Sequence, residues 1–394
     1  MRHVTGLLDR NVDVHVLANR EEEAAWESLG NYEQKLHSRI FHYQLPVSKK
    51  ARLQGALRLT LKNMANGRYS HLKSWNLFRF NEKSHSLVFP YLYNTALDIG
   101  PVDILHCHFG RNGTFGSYLK KLGLVKKLVV TFHGYDVSSV LKTSGSKHPY
   151  QSLFEEADLL LPVSERWKQK LLELGAPEDR IQVHRVGIDV DHFNFCERYG
   201  KTKPLKIATT ARFTEKKGIK YAVEAIALVR ENNPALKIHY DLIGNGPLWK
   251  EIKSLVTSLG LLDCIKLHGA LPHQKVQALL GQADIFMLPS VTAENGDQEG
   301  IPVSLMEAMA SGMPVLSTIH SGIPELIEEG VSGYLVPERN SEALAERIIY
   351  LSRNSHDWKR MGKAGRTKID KDYNINMQNA KLLDLYKELL VDRK

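Results

Sequence analysis

The stretch DIFMLPSVTAENGDQEGIPVSLMEAMASGMPVLST, residues 284–318, holds two short apolar runs with an apolar helical pattern between them. DIFMLP (284–289) and PVLST (314–318) are continuous rather than alternating, as strands buried on both faces require. A helix carried between two such strands makes a βαβ unit with parallel strands. Pro302 fits the first helical position and Gly312 the residue just past the end. Between them Glu307 stands among Val303, Leu305, Met306, Ala308, Met309 and Ala310. A second glutamate, Glu299, lies eight residues upstream, just before Gly300, Ile301 and Pro302.

The same alternation runs outward from this unit. Strands are expected over 12–18, 103–109, 128–132, 158–164 and 180–187, and again over 205–211, 237–244, 264–269, 284–289, 314–318 and 333–337. Helical patterns separate them, so the class is α/β. Between the two sets, GIDVDHFNFCERYGKTKP (187–204) has no clear period and reads as a linker. The organisation expected is two Rossmann-like, doubly wound domains, 1–195 and 196–372. Residues 373–394 form a final helix.

Composition narrows the function classes. No apolar run reaches the ~18 residues of a membrane span, and the first residues, MRHVTGLLDRN, lack the apolar core of a secretory signal. Three scattered cysteines, Cys107, Cys196 and Cys264, have neither metal spacing nor disulfide pairing, which points to a reducing cytoplasm. The net charge of +9 is concentrated. Residues 35–85 hold eleven Lys or Arg against one acid, Glu82, so that segment alone carries +10. Within it, KKARLQGALRLTLKNMANGRYSHLKSW (49–75) also carries Leu53, Leu57, Leu59, Leu61 and Met64. It reads either as amphipathic helices docking on an anionic membrane or as a solvated helical insertion. No nucleic-acid-binding module is present.

In an open parallel sheet, ligands bind beyond the carboxyl ends of the strands. Three such ends carry candidate residues. ARFTEKKG follows the strand at 205–211, and its Arg212 and Lys217 make either an anion site suited to a diphosphate or two solvated charges. IGNGPL carries Gly244 and Gly246, which a plain strand-to-helix turn explains equally well. Neither a Walker A pattern nor a G-x-G-x-x-G fingerprint occurs, which argues against a P-loop ATPase or an NAD dehydrogenase. The third is the opening stretch. N–H groups around Ile301, Val303 and Ser304 are free to receive phosphate oxygens, with Glu299 and Glu307 bracketing the helix end. Glu307 reads either as a ribose ligand or as a buried acid satisfied by the protein's own donors.

ARFTEKKGIKYAVEA, LIGNGPL, the 284–318 stretch and SGIPELIEEGVSGYLVP together resemble the retaining nucleotide-sugar glycosyltransferases of the group 1 family, which have the GT-B fold. The tract NGDQEGIPVSLMEAMA is most similar to the bacterial exopolysaccharide, colanic-acid-type branch. HFGRNG (108–113), TFHGYD (131–136) and ADLLLPVSERWK (157–168) agree with it in the first half. The resemblance covers most of residues 100–390. It implies that Arg212 and Lys217 neutralise the donor diphosphate, that Glu299 and Glu307 are the two glutamates of an E-x7-E motif, and that Glu299 lies near the donor sugar while Glu307 holds the nucleotide ribose. It further implies backbone contacts from Gly300, Ile301, Pro302 and Val303, a loop at Leu271 that meets the base, and His133 facing the sugar from the first domain. The final helix should cross back to the first domain.

The reaction implied by this resemblance is transfer of a sugar, from UDP as the expected nucleotide, to a saccharide acceptor, lipid-linked in the expectation, with retention of configuration. No cofactor and no metal are expected, since the cations and the helix end take the metal's role and no D-x-D motif is evident. The resemblance also implies a strand and a glycine-containing loop ahead of the first helix. MRHVTGLLDRNVDVHVLA starts inside that helix, so ~15 to 20 residues of the usual pattern are not in the sequence. Two alternatives stay open, a nucleotide-sugar epimerase of the same fold and a truncated, non-catalytic paralogue that binds nucleotide sugar.

Overall fold

The computed structural model describes residues 2–19, 32–75, 87–144, 149–200 and 204–391 of the chain. Strands are numbered β1–β11, and α-helices of seven residues or more α1–α12. The second half is built on six parallel strands: β6 (Leu205–Thr210), β7 (Ile238–Ile243), β8 (Ile265–Gly269), β9 (Ile285–Leu288), β10 (Val315–Thr318) and β11 (Gly333–Val336). Their spatial order is β8-β7-β6-β9-β10-β11. Counted from β6 this is 3-2-1-4-5-6, the doubly wound order.

Alternation within each strand decides which side chains meet which helices. Ile207 and Met287 face a cluster with Val223 and Ile226 from the helix after β6, Ile252 from the helix after β7 and Ile348 from the helix after β11. Ala208, Phe286 and Leu288 face the other way, onto Leu305, Met306 and Met309. Both faces are thus covered, which is why the strand sequences read as unbroken apolar runs.

The first half holds α1 (Arg2–Leu8), β1 (Val16–Ala18), β2 (Ile40–His42), α2 (Lys49–Ala65), α3 (Phe89–Ile99), β3 (Val102–His108), α4 (Gly110–Lys121), β4 (Val125–Phe132), β5 (Leu159–Pro162) and α5 (Glu165–Glu173). Its strands are also parallel, in a two-stranded sheet β1-β2 and a three-stranded sheet β3-β4-β5. β2 was not expected from the sequence, and its three residues are all partly exposed.

One expected strand does not form as such. RIQVHRVG (180–187) lies alongside β5 with two backbone bonds, Gln182 N–H to the Leu160 carbonyl and His184 N–H to that of Pro162. It then leaves the sheet towards the domain crossing, so pairing stops at a single bridge, Leu160 with Ile181.

In the second half the helices are α6 (Ile219–Asn232), α7 (Trp249–Ser258), α8 (His273–Gln282), α9 (Val303–Ala310), α10 (Ser341–Arg353), α11 (Trp358–Asp372) and α12 (Ile375–Leu390). The chain crosses between the halves at Ile188 and returns at Asn374, and the crossings pair. Ile188 N–H donates to the Tyr373 carbonyl and Ile375 N–H to that of Ile188. After the return, α12 crosses back as expected. Its Leu382, Leu385 and Tyr386 pack with Leu7, Val129, Leu159 and Leu161 on the face of the β4 sheet opposite α4.

Candidate active site

β6 and β9 are neighbours from which the sheet grows in opposite directions, so the loops beyond their carboxyl ends part and leave a crevice. Arg212 and Lys217 lie on the loop after β6, and Glu299 to Pro302 on the loop after β9. The two loops are tied together. Val291 N–H donates to the Lys216 carbonyl at 2.9 Å, Glu294 N–H reaches the Glu215 carboxylate at 2.9 Å, and Lys216 pairs with Asp297 at 3.1 Å.

Within this frame Lys217 Nζ sits 2.6 Å from Glu299 Oε1, with side-chain exposures of 16% and 7%. Ser290 Oγ donates to the same carboxylate at 3.4 Å. Sequence reasoning assigned these two residues to separate parts of a ligand, yet the structure joins them directly. An ammonium has three donors, so the pair leaves Lys217 two. Arg212 is exposed, and among the described residues it has no ion pair or side-chain hydrogen-bond partner.

The G-x-G after β7 gains a role here. A Cβ on Gly244 would lie 1.9 Å from the Ala211 carbonyl oxygen, and one on Gly246 2.5 Å from that of Phe213. Only glycines let the Arg212 loop lie directly on this turn.

Glu299 is held from three sides. Its N–H donates to His320 Nε2 at 3.1 Å, and its carbonyl accepts from Ser321 Oγ at 2.7 Å and Trp167 Nε1 at 3.2 Å. Because Nε2 accepts, His320 carries its proton on Nδ1 and donates it to Glu338 at 2.6 Å. Glu338 in turn accepts from Thr292 N–H at 2.7 Å. Ser321 has φ +47°, a conformation non-glycine residues hold only under constraint. His320 and Ser321 stand at the start of the SGIPEL tract, but nothing in their spacing tied them to Glu299.

Pro302 is the cap rather than the first helical residue, with φ −65° and ψ 120°, and α9 begins at Val303. Its φ is the one proline imposes, and its extended ψ ends the loop and starts the helix. Glu307 is partly exposed rather than buried. Val303, Ser304 and Glu307 share one edge of α9, while Leu305, Met306, Ala308, Met309 and Ala310 are buried. The carboxylate therefore does not lie in the apolar core. Ile301 and Pro302 are buried. Leu271 is partly exposed in the loop after β8, immediately before α8.

His133 directly follows β4 in the other domain, and that strand end meets the Glu299 loop. A Cβ on Gly300 would lie 2.5 Å from the His133 carbonyl oxygen. His133 Nε2 lies 2.9 Å from His108 Nδ1, and the ring packs against Phe109 at 4.6 Å between centroids. Phe109 has φ +71°, strained backbone beside the site. Burial first, then the charge of His3, pushes His133 down to about 4, and burial pushes His108 to about 3. Both rings are neutral at pH 7. His108 stacks on His106 at 4.8 Å, and His3 lies 5.5 Å from His184.

Asp136 shapes this strand end and was missed. Its carboxylate accepts the N–H groups of Gly110, His133 and Gly134 at 2.9–3.0 Å, and burial raises its pKa to about 6. Among the described residues no group of three or more His, Cys, Asp or Glu is placed to hold a metal ion.

Residues 194–368 match the family described as Glycosyl transferases group 1, and residues 1–192 match Glycosyltransferase Family 4. WcaL of Escherichia coli K12, whose name places it in colanic acid biosynthesis, is 35% identical over 99% of this chain and 96% of its own length. The chain belongs to the group 1 glycosyltransferases. Another relative of this glycosyltransferase is AmsK of Erwinia amylovora, named for amylovoran biosynthesis, 36% identical over 99% of this chain and 95% of its own. The fold is GT-B. A glycosyltransferase from Rickettsia africae superposes with a TM-score of 0.70 at 20% identity, covering 99% of this chain and 94% of that one. Anabaena HepE in complex with UDP-glucose gives 0.69 at 15% identity, covering 95% and 100%.

Proposed function

We propose that this glycosyltransferase moves a sugar from UDP to a saccharide on a lipid carrier during exopolysaccharide assembly, with retention of anomeric configuration and without a metal ion. The observation that carries the reading is the Lys217–Glu299 pair at the β6/β9 crevice, with exposed Arg212 on the same loop. The names of WcaL and AmsK and the UDP-glucose bound to HepE support the product class and the nucleotide.

The diphosphate lies by Arg212, Lys217 and the N-terminus of α9, where two cations and free N–H groups meet charge as it develops on the leaving oxygen. Glu299 and the neutral His133 face the sugar from opposite domains, Glu307 holds the ribose, and the Leu271 loop meets the base. The backbone of Gly300, Ile301, Pro302 and Val303 lines sugar and phosphate. The bond from the anomeric carbon to the phosphate oxygen breaks. The acceptor oxygen bonds to the same face of that carbon, and its proton passes to the departing phosphate oxygen.

The acceptor side works at the cytoplasmic face of the membrane. The solvent face of α2 supports this, since it exposes Leu53, Leu57 and Leu61 between basic residues. No helix among the described residues is long and apolar enough to cross a membrane.

A panel of nucleotide sugars, assayed for binding, hydrolysis and transfer, tests the reading with Glu299→Ala as control. The expected result is saturable binding of one UDP-sugar and transfer that Glu299→Ala abolishes. Conversion of the donor without an acceptor would make the protein an epimerase, and tight UDP binding without transfer would make it a binding paralogue.

A further inference from the structure

The two domains are joined by a contact that substrate chemistry does not need. Glu325 lies in the short turn Ile323–Leu326 of the second domain. Its Oε2 accepts the N–H of Glu165 and its Oε1 that of Arg166, both at 3.0 Å. These are the first two N–H groups of α5, in the first domain, and a helix cannot satisfy them itself. The side chain of Ser164, the cap within the chain, accepts from Trp167 N–H, at 3.3 Å. One domain thus caps a helix of the other with a carboxylate aligned on the helix dipole.

The same contact reaches the hinge and the donor loop. Arg185, just ahead of the first crossing, lies 3.4 Å from Glu325 and 5.9 Å over the ring of Tyr373 at the second. The Tyr373 hydroxyl donates to the Glu325 carbonyl at 3.4 Å. Close to the capped N–H groups on the same helix, Trp167 Nε1 holds the Glu299 carbonyl. Capping α5 therefore sets the distance between its domain and the Glu299 loop.

We propose that Glu325 is a positioning residue, a cap supplied across the domain boundary that holds the two halves in the arrangement where Glu299 and His133 share one crevice. Its catalytic consequence rests on the glycosyltransferase reading above, whereas its mechanical consequence does not. The test is small-angle scattering of ligand-free protein, calorimetric UDP binding, and transfer kinetics for the wild type, Glu325→Ala and Glu325→Gln. Glu325→Gln keeps the size and one acceptor oxygen but loses the charge and the second acceptor.

The radius of gyration is expected to rise in Glu325→Ala and less in Glu325→Gln. UDP affinity should stay within about threefold, because Glu325 is not in the crevice. Transfer kcat/KM should fall by at least about tenfold in the alanine variant, with partial rescue in the glutamine one. Unchanged scattering in a folded Glu325→Ala protein overturns the proposal. If that variant does not fold, Glu325→Gln decides by the same readout. If no donor supports transfer at all, the functional reading fails while scattering still judges the cap.

Discussion

At the scale of single residues, Lys217 and Arg212 should behave differently although both are proposed to meet the diphosphate. Lys217 is paired in a nearly dry setting, so Lys217→Ala leaves the Glu299 carboxylate buried without its partner. Breaking such a pair costs about 3–5 kcal/mol, and the melting temperature should drop by several degrees along with turnover. Arg212 is exposed and, among the described residues, unpaired, so Arg212→Ala should melt within about a degree of wild type while kcat falls by roughly 10²–10³. Differential scanning calorimetry beside steady-state kinetics checks both, and a normal kcat in Arg212→Ala would remove it from the site. Both candidates were legible in the sequence because two cations after a buried strand are chemically conspicuous. The residues that hold Glu299 in place were not. The grip of His320 and Ser321 on the Glu299 backbone depends on a loop meeting another strand end, which spacing along the chain does not encode.

At the scale of elements, the turn after β7 and the helix α2 each carry a prediction. Gly244 has φ +133° and no room for a Cβ, so Gly244→Ala must move the Ala211–Phe213 loop and Arg212 with it. The expected outcome is a loss of transfer at least as large as that of Arg212→Ala, together with a lower melting temperature that Arg212→Ala does not show. The sequence could not tell this pair of glycines from an ordinary strand-to-helix turn, because the need for glycine arises from the loop lying on top of it.

Helix α2 buries Ala56, Thr60 and Asn63 and leaves Leu53, Leu57 and Leu61 exposed at 44%, 49% and 66%. Lys49, Lys50, Arg58 and Lys62 are exposed on the same helix, and among the described residues they form no ion pair. Arg79 and Lys83 of the basic segment lie outside the described residues. Near an anionic leaflet each basic residue contributes about 1 kcal/mol, and the leucines add burial. Phosphatidylglycerol vesicles should therefore co-sediment the protein, phosphatidylcholine vesicles should not, and Lys50→Glu with Arg58→Glu and Lys62→Glu should weaken binding at least about tenfold with the fold intact. A wild type that ignores both vesicle types would return α2 to a solvated insertion. The period of this helix was readable in the sequence, but the side it turns to solvent was not.

At the scale of the whole molecule, the histidines tie the first domain to the final helix. His3 Nδ1 lies 2.7 Å from Asn379, His106 Nδ1 2.5 Å from the Tyr386 hydroxyl, and His184 Nε2 3.0 Å from the Gln378 carbonyl. Burial drives His184 to about 4, as it does His133, and His108 lower still, while buried His106 falls well below the usual range. An unfolded chain protonates its histidines near 6.5, so between pH 6.5 and 4 it binds protons that the native state refuses. Stability is full above 6.5 and is lost as pH falls through this window, by roughly 1.4 kcal/mol per pH unit for each such histidine. Asp136 works in the opposite sense. Its raised pKa of about 6 means that its contribution is lost as pH rises through that value. One carboxyl opposes several histidines whose shifts are as large or larger, so the histidines decide the sign. Urea melts between pH 7 and 4.5 should show the midpoint falling with acid. His108→Asn should flatten that fall. Hydrogen exchange should show α12 and the β3–β5 sheet opening before the six-stranded sheet, because His106, His108, His133 and His184, which burial holds neutral, all lie in the first domain. A midpoint constant across this range, or the six-stranded sheet opening first, would remove the histidines as the acid-sensitive joint of the molecule.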